Sequence, residues 1–467
     1  MAAGKKLAPL GALSKWHWVG LAAVCVAAWA LFVHIDVLET ADHTFVFLES
    51  LFTGRFMDFY EVVVQRPTTL YYLNYANYNI VVYLLYGLFQ LPYYVVLKIT
   101  GGAPDSFVLV YFAKLVALVF HFGCVWLVGR IGLQLGFADK KAALGALAYG
   151  LAVPAFFSAP VMGQYDSVCI FFMLLSVLYL LRGKMWAFVL VAGFGMAFKF
   201  FCAFIFIPLL LLYEKKLLRI LMYGVCSLWL IAPTTLLFAG RTGQQGSFLD
   251  HMLARLFDVQ VPASYALSAF GLCFFALCVL CWLWRPQNPA RVALWVGLAV
   301  FSLLFLFVAW HPQWVALLCP FMVLTALQEK NGNLWLLADA GFSLGYLGIS
   351  SMAFPGHFGD NLLDMGFWGV ATGVNTRSYE GAWTLSGQLA KVPMLFQLCT
   401  VLFFGTLLLG MALKFPLKKG SLYDRLTGNT VAESIATPAK LWAVFGVCMG
   451  GWLALVLLLW VRRAMAL

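Results

Sequence analysis

The chain has 467 residues, of which 63% are apolar and only 10% are charged, and its formal net charge is +11. Its mean hydropathy of +0.91 excludes an ordinary soluble domain, because apolar runs of about 20 residues are what helices need to cross a hydrocarbon layer. The runs do not alternate, which excludes a transmembrane β-barrel. The sequence therefore predicts an all-α, polytopic transmembrane helical bundle.

The positive charge does not indicate nucleic acid, because lysine and arginine lie mostly in short loops at alternate helix ends. This positive-inside pattern predicts a cytoplasmic N-terminus, with Lys5, Lys6 and Lys15 inside. The first apolar run lacks a small-residue cleavage site, so we expect it to be retained as a span. The eleven cysteines are scattered through apolar runs and are expected to pack as small hydrophobic residues.

Apolar runs between basic loops predict about 13 spans. The first, at about 16–34, is followed by a long outer segment, 35–105, which is expected to carry juxtamembrane helices. Within it, the tyrosine-rich run 78–97 is interrupted by Pro92. We expect this run to be re-entrant or interfacial, because a full crossing would place the next basic loop outside.

The later spans alternate between basic inner loops and outer segments with polar motifs. One hairpin is predicted to turn near Lys199, and a second long outer loop is expected at 355–391. Two modules are predicted, a transmembrane module at 1–328 that includes the outer segment 35–105, and a C-terminal transmembrane module at 329–467.

Carboxylates are scarce, and six of the 19 acidic residues lie between the first span and residue 78. They are Asp36, Glu39, Asp42, Glu49, Asp58 and Glu61. Asp42 opens an amphipathic stretch whose stripe of Phe45, Leu48 and Phe52 would lie on the membrane. A carboxylate at the mouth of a helix bundle can accept a proton from a substrate hydroxyl. We therefore expect Asp42 to be a general base, with Asp36 as second choice; the alternative is a set of solvated loop acids.

A Gly-Gln-Tyr-Asp-Ser motif at 163–167 is expected at the outer end of a span. Gln164 and Asp166, with Tyr165 between them, can bind several hydroxyls of a sugar substrate. The alternative is a polar helix cap, because Asp and Ser both cap helix N-termini.

Basic side chains at the same predicted face are candidates for binding a lipid phosphate. Lys199 lies amid aromatic residues, and a lysine at membrane depth marks a pathway or an anion site, unless it snorkels to the interface. His311 lies between two tryptophans and can bind a phosphate oxygen or belong to an aromatic belt. Arg241 is a further phosphate candidate, as are Arg255 and Arg377.

Four stretches carry a resemblance to a known family, namely Asp42 with Phe59 and Tyr60, the motif at 163–167, Phe198 and Lys199 followed by Pro208, and His311 with Pro320. In this order they resemble motifs of the integral-membrane glycosyltransferases of the GT-C class that use polyprenyl-phosphate sugars. The greatest similarity is to the dolichyl-phosphate-glucose-dependent glucosyltransferases of the endoplasmic reticulum and their bacterial relatives. The family's Tyr-Pro-Pro-Leu stretch is Tyr-Ala-Asn-Tyr at 75–78 here, and the resemblance does not extend past residue 330.

The resemblance implies an inverting transferase that moves a hexose from a polyprenyl-phosphate sugar to a hydroxyl of a glycan or lipid on the outer or lumenal face. Asp42 would be the base, while Lys199, His311 and Arg241 would stabilise the departing phosphate. No cofactor or metal is expected, since the sequence contains neither a phosphate-cradling glycine loop nor an evident metal-ligand cluster.

Two other functions stay open. A polysaccharide polymerase or ligase would also act on lipid-linked glycans, relying on outer arginines. A flippase or secondary transporter would carry coupling acids near the bilayer midplane and internal repeats, whereas only Asp339 falls within a predicted span and no repeat is found. The expected partners are the lipid-linked donor, a glycan or lipid acceptor and membrane lipids, with no nucleic acid. The expected location is the cytoplasmic membrane, slightly favoured over the endoplasmic reticulum, with the active site on the outer face.

Overall fold

The computed structural model describes residues 10–66, 76–240, 255–256, 268–329, 332–355, 357–372, 384–417, 420–421 and 436–465. In these ranges the chain is almost entirely helical. Two strands of two residues each, β1 (Pro416–Leu417) and β2 (Gly420–Ser421), pair antiparallel in the described part. The all-α class predicted from the sequence is therefore confirmed.

The helices of the described residues are, in chain order, α1 (Lys15–Leu31), α2 (Ile35–Phe52), α3 (Phe59–Gln65), α4 (Ile80–Thr100), α5 (Ser106–Gln134), α6 (Asp139–Gly150), α7 (Val153–Phe156), α8 (Asp166–Leu181), α9 (Met185–Phe198), α10 (Phe201–Tyr213), α11 (Leu217–Ser227), α12 (Ile231–Leu237), α13 (Ala269–Leu283), α14 (Pro289–Phe307), α15 (Cys319–Ala326), α16 (Gly332–Ala353), α17 (Asn361–Asp364), α18 (Phe367–Thr372), α19 (Leu385–Leu389), α20 (Leu395–Leu413) and α21 (Pro438–Ala464). Short 3₁₀ helices lie at Leu10–Ala12, Phe56–Asp58 and Pro312–Leu317, and a π-helical segment follows α7 at Phe157–Val161.

Five of these helices, α4, α5, α14, α20 and α21, are long and apolar enough to cross a membrane. The number of candidate spans rises to eight if each bent pair is one span, namely α1 with α2, α6 with α7 and the π-helical segment, and α11 with α12. Shorter apolar helices, such as α8, α9 and α10, complete the bundle. The chain thus has the helices of a multi-pass membrane protein, whereas the predicted count of about 13 spans is not confirmed.

The helix after the first span begins earlier, and packs more deeply, than the sequence suggests. α2 starts at Ile35 and leaves α1 at an angle of 78°. Phe45 and Leu48 are only 2% and 3% exposed, and the Phe45 ring contacts the Tyr94 ring of α4 at 5.6 Å. The prediction that these two residues lie on the membrane is wrong, because α4 covers that face of α2; Phe52 at its end is 59% exposed.

α4 itself differs from the sequence prediction for 78–97. The structure gives an uninterrupted helix of 21 residues that continues through Pro92, with the length and hydropathy of a span. The helix packs along both α2 and α5. The expectation of a re-entrant or interfacial segment therefore has no support from the helix geometry.

A buried lysine stabilises the turn between α1 and α2. Lys114 of α5 is 0% exposed, and its ammonium group donates hydrogen bonds to the backbone carbonyls of Trp29 and Phe32. Carbonyls at a helix C-terminus have no partner within the helix, and a cation there is also favoured by the helix dipole. Lys114 thus ends α1 at the point where α2 turns away.

We expect Lys114→Met to lower the stability of the protein by about 1–3 kcal/mol, because it leaves buried carbonyl acceptors unsatisfied. Thermal unfolding of the detergent-solubilised protein measures this loss. Lys140→Met, at an exposed position in the first turn of α6, is the matched control and should leave the midpoint unchanged. Equal midpoints for the two variants would contradict the capping role of Lys114.

Candidate functional site

A cluster of polar side chains lies where α1 meets α2. His34 caps the N-terminus of α2, and its Nδ1 accepts a hydrogen bond from the backbone N–H of Asp36 at 3.2 Å. The amide Nε2 of Gln164 lies 3.2 Å from the same Nδ1 and 3.3 Å from Oδ2 of Asp36. The amide group can therefore donate to both side chains, which holds the Asp36 carboxylate in one orientation.

The backbone of the 163–167 motif brings Gln164 to this position. Gly163 has φ +70°, a conformation that favours glycine. A Cβ atom at Gly163 would lie 2.6 Å from Cγ of Lys114, so the close approach also requires glycine. The motif follows the π-helical segment, and α8 begins at Asp166. The turn thus orients Gln164 toward α2 and places Asp166 at the start of α8.

Asp166 and Lys199 form a buried ion pair beside this cluster. Nζ of Lys199 lies 2.8 Å from Oδ1 of Asp166, and the two side chains are 4% and 0% exposed. Lys199 occupies the break between α9 and α10, and its ammonium group also lies 4.4 Å from the centre of the Tyr165 ring. Because a buried charge must remain paired, most of the positive charge of Lys199 is compensated inside the protein.

Two further histidines face the same cluster. The ring of His357, from the turn after α16, lies 5.5 Å from the ring of His34. Ligand atoms of His34, Asp36 and His357 all lie within 4.8 Å of one another, so these residues are positioned to hold a metal ion. His311 precedes the 3₁₀ helix at 312–317 and lies within electrostatic range of Asp36.

His311 is uncharged at neutral pH. Burial lowers its pKa to about 4, and the positive charge of Arg255 lowers the pKa in the same direction. Both residues contact Trp314, His311 with its ring at 5.0 Å and Arg255 with its guanidinium group at 5.3 Å from the ring centre. A lowered pKa means that His311 gains a proton only as the pH falls toward 4. At pH 7 it can donate or accept a hydrogen bond but supplies no charge.

Asp42, the first choice for a general base, does not join this cluster. It follows Asp36 by six residues, which on a helix is about 120° around the axis and about 9 Å along it. The charged side chains around Asp42 are Arg66 and Glu49, which form an ion pair of 3.4 Å with each other. The second choice, Asp36, is the carboxylate that meets Gln164 and the histidines.

The other predicted site residues divide into two groups. Gln164, Tyr165, Asp166, Lys199 and His311 come together around the start of α8, whereas Arg241 and Arg377 lie outside the described residues. Tyr165 is only 2% exposed, and its ring packs against Tyr78 and Lys199.

Sequence reasoning missed His34 and His357. A histidine at the end of the first span, two residues before an aspartate, is a local signal that could have identified His34. No spacing signal could have identified His357, because only the packing of the chain brings it beside the first span.

No family model matches the chain, and no curated protein matches it by sequence. Among solved structures, the chain is similar to ArnT from Cupriavidus metallidurans bound to undecaprenyl phosphate. The match has a TM-score of 0.50 and 14% sequence identity, and it covers 97% of this chain and 78% of that chain. At this identity the likeness establishes a shared fold.

We expect Lys199→Met to destabilise the protein by about 3–5 kcal/mol, because Asp166 then remains buried without its partner. The double variant Asp166→Asn, Lys199→Met removes both charges and should recover most of the loss, as measured by thermal unfolding in detergent. If Lys199→Met is as stable as the wild type, the ion pair has no structural role. In the wild-type protein the Lys199 charge would then be available for a phosphate.

Proposed function

We propose that this protein is a glycosyltransferase of the GT-C class that transfers a hexose from a polyprenyl-phosphate sugar to an acceptor hydroxyl with inversion. The observation that carries the proposal is a carboxylate, Asp36, oriented by Gln164 in a polar cluster within a helical bundle that shares its fold with ArnT. The structure of ArnT contains undecaprenyl phosphate, which is a polyprenyl phosphate. This neighbour supports a lipid-phosphate donor.

Asp36 is better placed than Asp42 to act as the general base. Gln164 binds one of its oxygens, and His34 and His357 lie beside it. The Asp36 carboxylate is only partly buried, so an acceptor hydroxyl can reach it. The charged groups that act on Asp42 are Arg66 and Glu49. Gln164, His34 and His357 are not among them. Asp42 remains the alternative base. The transfer activities of Asp36→Asn and Asp42→Asn distinguish the two assignments.

The proposed reaction is a single displacement. Asp36 accepts the proton of the acceptor hydroxyl, and the acceptor oxygen forms a bond to the anomeric carbon on the face opposite the phosphate. The bond between the anomeric carbon and the phosphate oxygen breaks, and polyprenyl phosphate leaves with the bonding electron pair. A phosphate is a good leaving group, so one base is sufficient and the paired carboxylates of glycoside hydrolases are not required.

His311 and Arg255 are the described groups best placed to bind the departing phosphate. Arg255 supplies positive charge, and neutral His311 supplies a hydrogen bond; donors held in advance stabilise charge as it develops. Lys199 and Arg241 stay in the proposal as phosphate ligands, although Lys199 already contacts Asp166 at 2.8 Å. The proposal also keeps three substrate-binding residues on the outer or lumenal face of the membrane, namely Gln164, Asp166 and Tyr165.

The two alternatives make different demands on the same structure. A transporter would couple to an acid deep in the bundle; in the described residues Asp339 lies within α16, and Asp166 is buried but paired with Lys199. A polymerase or ligase would depend on outer arginines, and Arg241 and Arg377 remain candidates for it. Both predicted modules, 1–328 and 329–467, contribute residues to the polar cluster. His357 of the second module lies beside His34 of the first.

We expect Asp36→Asn to reduce transfer by roughly 10²- to 10⁴-fold, the usual contribution of a general base. The assay is transfer of radiolabelled sugar from undecaprenyl-phosphate glucose or mannose in proteoliposomes, with donor binding measured separately and expected to persist. Asp42→Asn is the matched control and should retain most of the activity. The reverse result would assign the base to Asp42, and a wild type that neither binds nor uses any such donor would favour a transporter.

We expect His311→Ala to weaken the binding of undecaprenyl phosphate by roughly 10- to 100-fold, because a hydrogen bond to a charged group contributes about 1.5–3 kcal/mol. His311→Gln keeps a donor at this position and should recover part of the affinity. Binding to the detergent-solubilised protein measures both effects. Unchanged affinity in His311→Ala would remove His311 from the phosphate site.

A further inference from the structure

The distances between His34, Asp36 and His357 are close to those of a metal site. Nδ1 of His34 lies 3.6 Å from Oδ2 of Asp36, and one ligand atom from each of His34, Asp36 and His357 lies within 4.8 Å of the other two. Ligand atoms bound at about 2.1 Å in a tetrahedral zinc site lie about 3.4 Å apart. The separation of His34 and Asp36 is therefore close to that of two zinc ligands, and the side chain of His357 is exposed.

The ligands are those that zinc prefers. Imidazole nitrogens and carboxylate oxygens are common zinc ligands, and a zinc site usually has four ligands in a tetrahedral arrangement. Gln164 reaches the same point, since its amide nitrogen lies 3.2 and 3.3 Å from the His34 and Asp36 atoms. Rotation of this amide by about 180° exchanges its nitrogen and oxygen. The carbonyl oxygen of Gln164 can thus become the fourth ligand.

The buried ring of His34 is held in place by its neighbours. The side chain is 1% exposed, and the ring makes a hydrogen bond with the backbone of His357. Nδ1 accepts from the backbone N–H of Asp36, so the proton of the neutral ring is on Nε2. Nδ1 is therefore the unprotonated nitrogen, and a metal ion bound there would replace the hydrogen bonds from the Asp36 backbone and from Gln164.

We propose that His34, Asp36 and His357 bind one divalent metal ion, with Zn²⁺ as the fitting ion and Gln164 at its fourth position. Binding through Oδ2 leaves Oδ1 of Asp36 free, so the site is compatible with a role of this carboxylate toward an acceptor hydroxyl. The ion would add positive charge within electrostatic range of His311, on which Asp36 and His357 already act. Its role toward a departing phosphate rests on the proposed function, whereas the site itself does not.

The test is zinc binding by the purified, full-length protein in detergent. Protein stripped with a chelator is incubated with Zn²⁺, and bound metal is measured by elemental analysis after desalting. We expect about one zinc ion per wild-type chain, and loss of this ion in His357→Gln and in Asp36→Asn. His357 is exposed, so its substitution does not threaten folding, and a thermal unfolding curve of each variant confirms that it is folded.

His17→Gln is the matched control. His17 lies in the first turn of α1, 17 residues before His34 and therefore about 25 Å away along the helix. This variant should keep the zinc ion. Cobalt provides a second readout, because Co²⁺ in a tetrahedral site of the wild type should show visible absorption that His357→Gln lacks.

Two results would overturn the proposal. One is a wild type that retains no more zinc than folded His357→Gln, and the other is an equal loss of zinc in His17→Gln. These outcomes are independent of the transferase activity, because the measurement requires no sugar donor. A further outcome is that zinc binds to the wild type without changing the affinity for undecaprenyl phosphate. That result would support the metal site and exclude a role of the ion in phosphate binding.

Discussion

The sharp turn between α1 and α2 is the constraint on which the site depends. Lys114 binds the last carbonyls of α1, and Gln164 binds the first turn of α2 through Asp36. Both residues meet at Gly163, where no side chain larger than hydrogen fits against Lys114. The position of the Asp36 carboxylate therefore depends on three separate segments of chain that pack correctly around one turn.

Two buried lysines of this bundle have structural roles. Lys114 stabilises a helix end, and Lys199 is neutralised by Asp166 at 2.8 Å in a fully enclosed environment. Because a buried cation requires a partner, a lysine in an apolar sequence indicates a polar contact but does not show whether the contact is a ligand or another residue. Among the described residues, Arg255 lies beside His311 and is a further source of positive charge for an anionic substrate.

Much of the candidate site could be predicted from local sequence. A helix break lies at the place predicted near Lys199, since α9 ends at Phe198 and α10 begins at Phe201. The segments that contribute Asp36, Gln164, Lys199 and His311 follow one another in the predicted order. The choice between Asp36 and Asp42 could not be made, because both acids lie in one helix and only the neighbouring segments show which face of it meets the polar cluster.

The sequence by itself determined the class of the protein. Long apolar runs must close their backbone hydrogen bonds within helices, so composition alone implies an all-α membrane bundle. Tertiary structure decided which polar groups meet. His34 and His357 are separated by more than three hundred positions in the chain, yet their rings lie 5.5 Å apart. That proximity results from helix packing, which no local pattern of residues encodes.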